Sequence, residues 1–430
     1  MPDAINVTTN WQKAGMQSVG GIPARTTVCA TVNPIGGGSD DFTHIQNAIN
    51  ACPAGEVVQL GAGAFSVKQA DLPIQISTGI TLRGTGACGG SSSPYCATSI
   101  TVIDGILPYT GGTCGTDKSH QIGCPNGGPN AILMAPVAPD FNYSWAQCGN
   151  VGGNPGTGTG CGATPLGADA AQGQTTIQVA STTNFAVGQW VLIDEASGAG
   201  WVADPLNAWT GYGSVWAASD WLSSSPSPAT GRVMWPKAQG GGGWDFGSAY
   251  PYESGGQGCW VDYCDRPTGE LHKVSAIGAG PCPGTGCTVT FDDPLTIAFR
   301  VSGNHKAQVY ARLYSNQSGT GSPIPFLQNA GLENLSLLRA ANGGLEMAFC
   351  AYCWVKNVEV GDWYNGGITI EYSARSEFNT VYVHHCWNSV NSGGEYPIDI
   401  RSASTEILIT NSITNFGGKG MTARAGGAGS

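Results

Sequence analysis

Charge is scarce in this sequence. Only 11% of the 430 residues are Asp, Glu, Lys or Arg, and 29 acidic residues outnumber 18 basic ones, for a net charge of −11 and a pI near 4.9. Nucleic acid and anionic membranes both demand a basic face, so neither is expected as a partner. A uniformly polyanionic substrate is disfavoured for the same reason. Long apolar runs are also missing: no stretch reaches the roughly 18 residues that a membrane-spanning helix requires. Met1-Pro2-Asp3 offers neither a basic start nor an apolar core, so no signal peptide is expected in these residues. Gly-x-Ser-x-Gly, phosphate-loop and zinc-protease strings are absent, which removes the best-marked hydrolase, nucleotide-binding and metalloprotease readings.

Glycine is abundant, at 66 residues, and Thr, Ser and Asn accompany it where Lys and Glu are few, a balance that favours strands and tight corners over helices. The 15 cysteines include close pairs bracketing Gly/Pro/Ser loops: Cys88 and Cys96, Cys114 and Cys124, Cys148 and Cys161, Cys259 and Cys264, Cys282 and Cys287. Such loops have little to bury, so local disulfides are the expected staples, and with them an oxidising, secreted or extracellular location. Zinc is not expected, because thiolate clusters with histidines at ligand spacing are missing. The odd count implies one free thiol or a partner beyond the end.

From about Leu332 onward the chain repeats itself. Gly344-Leu345-Glu346-Met347 is answered 23 residues later by Gly367-Ile368-Thr369-Ile370, and Pro397-Ile398-Asp399-Ile400 by Gly420-Met421-Thr422-Ala423 at the same step. Between the second and third copies the step is 30, which fits one turn plus a short inserted loop. A second track, Leu335-Ser336-Leu337, Val358-Glu359-Val360 and Val381-Tyr382-Val383, also advances by 23. Alternating strands at a short fixed period predict a right-handed parallel β-helix. Ser430 falls in mid-repeat, so the coils are expected to continue beyond it.

Upstream, Phe42, Ile45, Ala48 and Ile49 share one helical face, with Asp40 or Asp41 as N-cap and Pro53 beyond the end. Strands are expected directly after it, at Val57-Val58-Gln59-Leu60, Phe65-Ser66-Val67, Ile74-Gln75-Ile76 and Ile80-Thr81-Leu82. A helix there would cover the open end of a solenoid. Gly38-Ser39-Asp40-Asp41-Phe42, the run Ile45 to Gly55, Val57 to Leu60, Gly61-Ala62-Gly63 and Ile80-Thr81-Leu82-Arg83-Gly84 resemble the N-terminal module of pectate-lyase-like and polygalacturonase-like β-helix proteins. The resemblance covers roughly 50 residues and implies the β-helix fold and action on a polysaccharide. The catalytic segments of polygalacturonases are not matched: no Asn-Thr-Asp, Gly-His-Gly or Arg-Ile-Lys string occurs, and Asp292-Asp293 falls outside the repeats.

Three regions are expected. Residues 1–165 carry a lead-in, the cap helix and first coils with disulfide loops. Residues 166–300 form a small antiparallel β insert, split by a loop containing Trp201, Trp209, Trp216, Trp221, Trp235, Trp244 and Trp260. Residues 301–430 return to β-helix coils, resuming near Val309.

Alternation places Leu345, Met347, Ile368, Ile370, Ile398, Ile400 and Met421 inside. It turns two columns outward, one of Glu346, Thr369, Asp399 and Thr422, the other of Ala348, Glu371, Arg401 and Arg424. Glu346 and Asp399, two coils apart, would lie about 9 to 10 Å from each other. An inverting glycosidase uses a carboxyl separation close to that range. Glu371 beside Arg401 would stay ionised, leaving another carboxyl to carry the proton. Asp399, Glu371 and Glu346, with Arg401 and His384, are therefore the candidate catalytic group. His384 and His385 follow a strand at the corner bearing the inserted loop. Trp209, Trp216, Trp221, Trp244, Tyr382 and Arg424 are candidate sugar contacts, since aromatic faces stack on sugar rings.

These readings converge on a secreted protein that cleaves a polysaccharide, as a glycoside hydrolase without metal or cofactor. A polysaccharide lyase, using an Arg or Lys base among Arg375, Arg401, Lys419 and Arg424 and calcium, is the first alternative. A non-catalytic glycan-binding or adhesion protein is the second.

Overall fold

In the computed structural model, strand follows strand in parallel at the 23-residue step of the repeats: Gly331–Leu338 pairs with Trp354–Trp363, which pairs with Glu377–Cys386. The structure describes residues 13–86, 88–89, 93–104, 130–137, 163–195, 268–282, 286–301, 307–311, 325–340, 343–364, 366–386, 396–401, 403–415 and 420–423. They belong to two compact units, one built of Trp11–Asn142 and Pro325–Ala423, the other of Tyr143–Ile324.

The first unit is a parallel β-helix. One wall carries the strands just named, preceded by Val28–Val32, Val57–Leu60 and Thr81–Gly84. A second wall runs Ile74–Ile76, Ile132–Met134, Leu345–Ala348, Gly366–Glu371, Tyr396–Arg401 and Thr422–Ala423. Register is tight because the inward residues match from coil to coil. Leu335, Val358 and Val381 align, as do Leu345, Ile368 and Ile398, all of them buried. Burying each such side chain contributes about 1.5–3 kcal/mol.

Corners repeat as faithfully as strands. Asn334, Asn357, Thr380 and Asn411 form one column of left-handed residues with φ of 57°, 52°, 58° and 52°; Arg339, Asp362 and His385 form another. Asparagine enters this region at low cost, and the Asn357 side-chain amide donates to Asn334 Oδ1 at 3.0 Å, so the bend carries its own hydrogen-bonded ladder. At a further corner Phe349 stacks on Tyr372 at 5.0 Å. Beside it the buried Arg375 guanidinium bonds Glu406 and donates to Tyr352 Oη at 3.0 Å.

The cap helix spans Phe42–Ala51, and its Ile45 and Ile49 are buried in the core of the coils. Asp40 Oδ1 accepts from Phe42 N, whereas Asp41, the residue at the N-cap position, ties Ile35 N and Ser66 N at 2.8 Å each. A Cys29–Cys52 disulfide, not foreseen in the sequence, joins the end of the helix to the first strand. Met421 departs from expectation. It is 58% exposed because it precedes the paired segment Thr422–Ala423 instead of lying within it.

The second unit holds a six-stranded antiparallel sheet in the order Ala163–Pro165, Gln308–Tyr310, Trp190–Glu195, Thr268–Ile277, Thr288–Phe291, Thr176–Gln178. It reaches beyond residues 166–300 at both ends. Val309, expected to restart the coils, pairs antiparallel with Ile193 and Thr164. A fully buried His272 joins Glu270 at 2.7 Å and Asp293 at 3.1 Å inside this unit.

Of the expected disulfides, Cys88–Cys96 and Cys282–Cys287 are formed; the other three pairs lie outside the described residues. Three described cysteines, not one, remain thiols: Cys350, Cys353 and Cys386. All are buried, and Cys350 and Cys353 point into the coil core, where a thiol serves as a small apolar side chain and bonds a carbonyl such as Met134 O. No helix among the described residues is long and apolar enough to cross a membrane.

Candidate functional site

On the outer face of the first wall two columns of side chains stand next to each other. One runs Ser336, Glu359, Tyr382, Ile413; the other runs Leu338, Gly361, His384, Asn415. Their centre is Glu359. Its Oε1 receives His384 Nε2 at 2.8 Å, while its Oε2 accepts from Ser336 Oγ and from the backbone N of Tyr95 at 2.7 Å. Burial alone would raise the Glu359 pKa. Hydrogen bonds from His384, Ser336, Tyr95 N and Ser93 outweigh it and hold the carboxyl below its ordinary value, so Glu359 is ionised at neutral pH.

Tyr95 arrives from far away in sequence, on the loop closed by Cys88–Cys96. That loop is fastened to the coils by Cys96 N donating to Ser336 Oγ at 3.1 Å, beside the Tyr95 N bond to Glu359. The Tyr95 ring meets Tyr382 edge-on at 5.0 Å, and Tyr382 lies stacked on His384 at 4.4 Å. Desolvation, a hydrogen bond with Tyr382 and the Glu359 charge push the Tyr95 phenol above its ordinary value, so it remains a donor at neutral pH.

His384 is only 2% exposed and both ring nitrogens are engaged, Nε2 with Glu359 and Nδ1 with Nδ1 of His385. Because an ionised carboxylate only accepts, Nε2 of His384 carries a proton. When Nδ1 of His384 accepts, His385 Nδ1–H is the donor between the two rings. His385, at the left-handed corner, is exposed, and Tyr95 and Tyr382 are partly so. The face therefore presents two phenols and an imidazole to solvent, backed by a buried histidine and carboxylate.

The expected carboxylate columns exist in the expected register, Glu346 opposite Thr369 and Asp399 beyond it, with Glu371 opposite Arg401. They are not open to solvent: Glu346 and Glu371 are 0% and Asp399 3% exposed, and Asn130 Nδ2 donates to Glu346 Oε2 at 2.7 Å. Pointing away from the coil core is thus not the same as facing water. Arg375, a candidate lyase base, is likewise buried against Glu406. The structure brings together His384 and Tyr382 from the candidate set, and keeps them apart from the buried carboxylates on the other wall. Trp209, Trp216, Trp221, Trp244 and Arg424 lie outside the described residues. Tyr95 and Gly361 gave no signal in the sequence, since the one is delivered by a loop contact and the other matters only for the space it leaves.

No protein-family model and no curated protein matches this chain. Among solved structures it is similar to the tailspike gp61 of Pseudomonas phage phi297, with a TM-score of 0.44 and 12% identity over 87% of this chain and 42% of that one. It is similar also to the tailspike gp49 of Pseudomonas phage LKA1 (TM-score 0.34, 14% identity, 86% and 44% covered). A third is the Gp54 tailspike of Acinetobacter baumannii bacteriophage AP22, solved in complex with A. baumannii capsular saccharide (TM-score 0.33, 10% identity, 87% and 48% covered). The chain spans less than half the length of each of these structures.

Proposed function

We propose that this chain is an extracellular polysaccharide-recognising β-helix protein whose sugar contact is the face formed by Tyr95, Tyr382 and His385. The observation that carries the reading is the pair of tyrosine rings at 5.0 Å, held over an ionised Glu359 by a disulfide-closed loop. Partly exposed rings backed by fixed hydrogen-bonding groups suit a pyranose, which offers an apolar face and a rim of hydroxyls. The resemblance of the N-terminal module to polysaccharide-acting β-helix proteins supports the same substrate class, and the described disulfides fit an oxidising compartment.

Cleavage of the glycan backbone by Glu346, Glu371 and Asp399 is the second reading. Its support is their register on neighbouring coils, and it requires that the covered face open. A panel of neutral and uronate polysaccharides tests both readings by calorimetric binding and a reducing-end assay, with ultraviolet absorbance reporting unsaturated ends and chelator testing for calcium. Binding that falls at least tenfold in Tyr382→Ala supports the tyrosine face; binding unchanged by that substitution overturns it. New reducing ends lost in Asp399→Asn support the second reading, and unsaturated ends move the cleavage to a lyase.

A further inference from the structure

We propose that the tyrosine face also hydrolyses an acyl ester carried by the bound glycan, with His385 as the catalytic base and His384 and Glu359 as positioning residues behind it. The inference rests on the glycan-recognition reading for its substrate, but on separate geometry for its chemistry. Glycosidic cleavage needs a protonated carboxyl on the leaving oxygen and a second carboxyl across the bond. Glu359 is buried and ionised and so supplies neither. Acyl transfer needs a base that works near neutrality and a donor for the developing oxyanion, the roles to which an imidazole and a phenol are suited. The corner offers both: His385 is exposed, its Nδ1 is engaged by His384, and the Tyr95 and Tyr382 rings flank His384 at 5.8 Å and 4.4 Å.

The step balances with water as the sole co-reactant. His385 Nε2 takes one proton from water while the water oxygen bonds the acyl carbon, and the carbonyl π pair moves onto its oxygen, facing a tyrosine hydroxyl. When the carbonyl re-forms, the bond from the acyl carbon to the sugar oxygen breaks, and the proton held on His385 passes to that oxygen. The products are a carboxylic acid and a free sugar hydroxyl. The positive charge gained in between is stabilised through His384 by the Glu359 carboxylate. The titratable and charged groups around this relay are Glu359 on the preceding strand, Tyr382 on its own strand, Tyr95 on the disulfide loop, and Asp362 and Arg339 on the two preceding coils of the corner column.

The experiment uses the full chain with p-nitrophenyl acetate and with an O-acetylated polysaccharide, reading acetate release from pH 5 to 9, and measures binding of the same polymer separately. Asparagine tolerates the left-handed corner, so His385→Asn leaves the fold intact, and an unchanged melting temperature checks this. Acetate release that falls about 100-fold or more in His385→Asn is the expected result. Glu359→Gln is expected to displace the acid limb of the pH profile, which a merely structural role would not do. Polymer binding without acetate release overturns the ester activity and leaves glycan recognition standing. Release that persists in His385→Asn overturns the assignment of the base. Release from the small ester alone, lost in His385→Asn, supports the ester site and counts against the glycan reading.

Discussion

Gly361 lies across the strand pair from His384, and a methyl group built on it would come within 2.9 Å of the imidazole Cε1 and 3.1 Å of Nε2. The same position would meet Leu338 Cδ2 at 2.9 Å. The missing side chain is what lets the imidazole fold back over the preceding coil to reach Glu359. Gly361→Ala is therefore expected to cost about 1–3 kcal/mol by overpacking, seen as a lower denaturation midpoint, and to weaken glycan binding through displaced Tyr382. A cycle with His384→Ala checks the cause. In that background Gly361→Ala should cost less by more than about 0.5 kcal/mol, because the two imidazole contacts are gone and only the one with Leu338 Cδ2 remains.

Thr380 interrupts the asparagine column at φ 58°, a conformation in which a β-branched residue is strained. Its hydroxyl turns to Asn379 Oδ1 and does not continue the ladder from Asn357. Thr380→Asn places an amide between Asn357 and Asn411 and relieves the strain, so it is expected to stabilise the protein by about 1 kcal/mol. A calorimetric melting temperature that stays level or falls would count against the ladder as a source of stability.

Much of this unit was legible in the sequence because a solenoid writes its contacts at a constant step. Offsets of 23 residues, and of 30 where a loop is inserted, together with period-two alternation define the column of Glu346, Thr369, Asp399 and Thr422 that the register shows. The same rule set Glu359 next to Tyr382. What lay beyond it depends on contacts without a period: Tyr95 reaches Glu359 from 264 residues away, and the His384 ring leans back only because residue 361 is glycine. Val309 misled because an isolated apolar strand reads the same in a coil as in an antiparallel sheet. Burial of Glu346 and Glu371 was hidden for a related reason, since alternation tells which way a side chain points and not what covers it.

The Cys88–Cys96 disulfide links the tyrosine face to its support. Cys88→Ser with Cys96→Ser removes a bridge over a separation of eight residues, for which loop closure accounts for about 2–3 kcal/mol. It also releases the Tyr95 backbone from Glu359. The double variant is expected to stay folded, because Gly331–Leu338 also pairs with Trp354–Trp363 and Thr81–Gly84, and Ile132–Met134 with Leu345–Ala348, yet to lose glycan affinity by about tenfold or more. Titration of binding against the oxidised parent measures this. Equal affinity in the two proteins would mean that Tyr95 is not part of the sugar contact.

In the antiparallel unit, His272 gives stability a definite pH dependence. Desolvation alone would lower its pKa, but Asp293 and Glu270 outweigh it and raise the value from 6.5 to about 10. A group whose folded pKa lies above its unfolded one contributes fully below the unfolded value and progressively less as pH rises to the folded one. The His272 contribution is therefore expected to be complete near pH 6 and to be lost between about pH 6.5 and 10, with a slope of up to about 1.4 kcal/mol per pH unit. Replacement by a group that cannot take up the proton, His272→Gln, leaves Glu270 and Asp293 buried without their cation and is expected to cost about 3–5 kcal/mol at neutral pH. The variant's denaturation midpoint should also lose most of the decline between pH 6.5 and 10. A parent protein whose midpoint is flat across that window, or a variant that keeps the full decline, would show that His272 is neutral in the folded state.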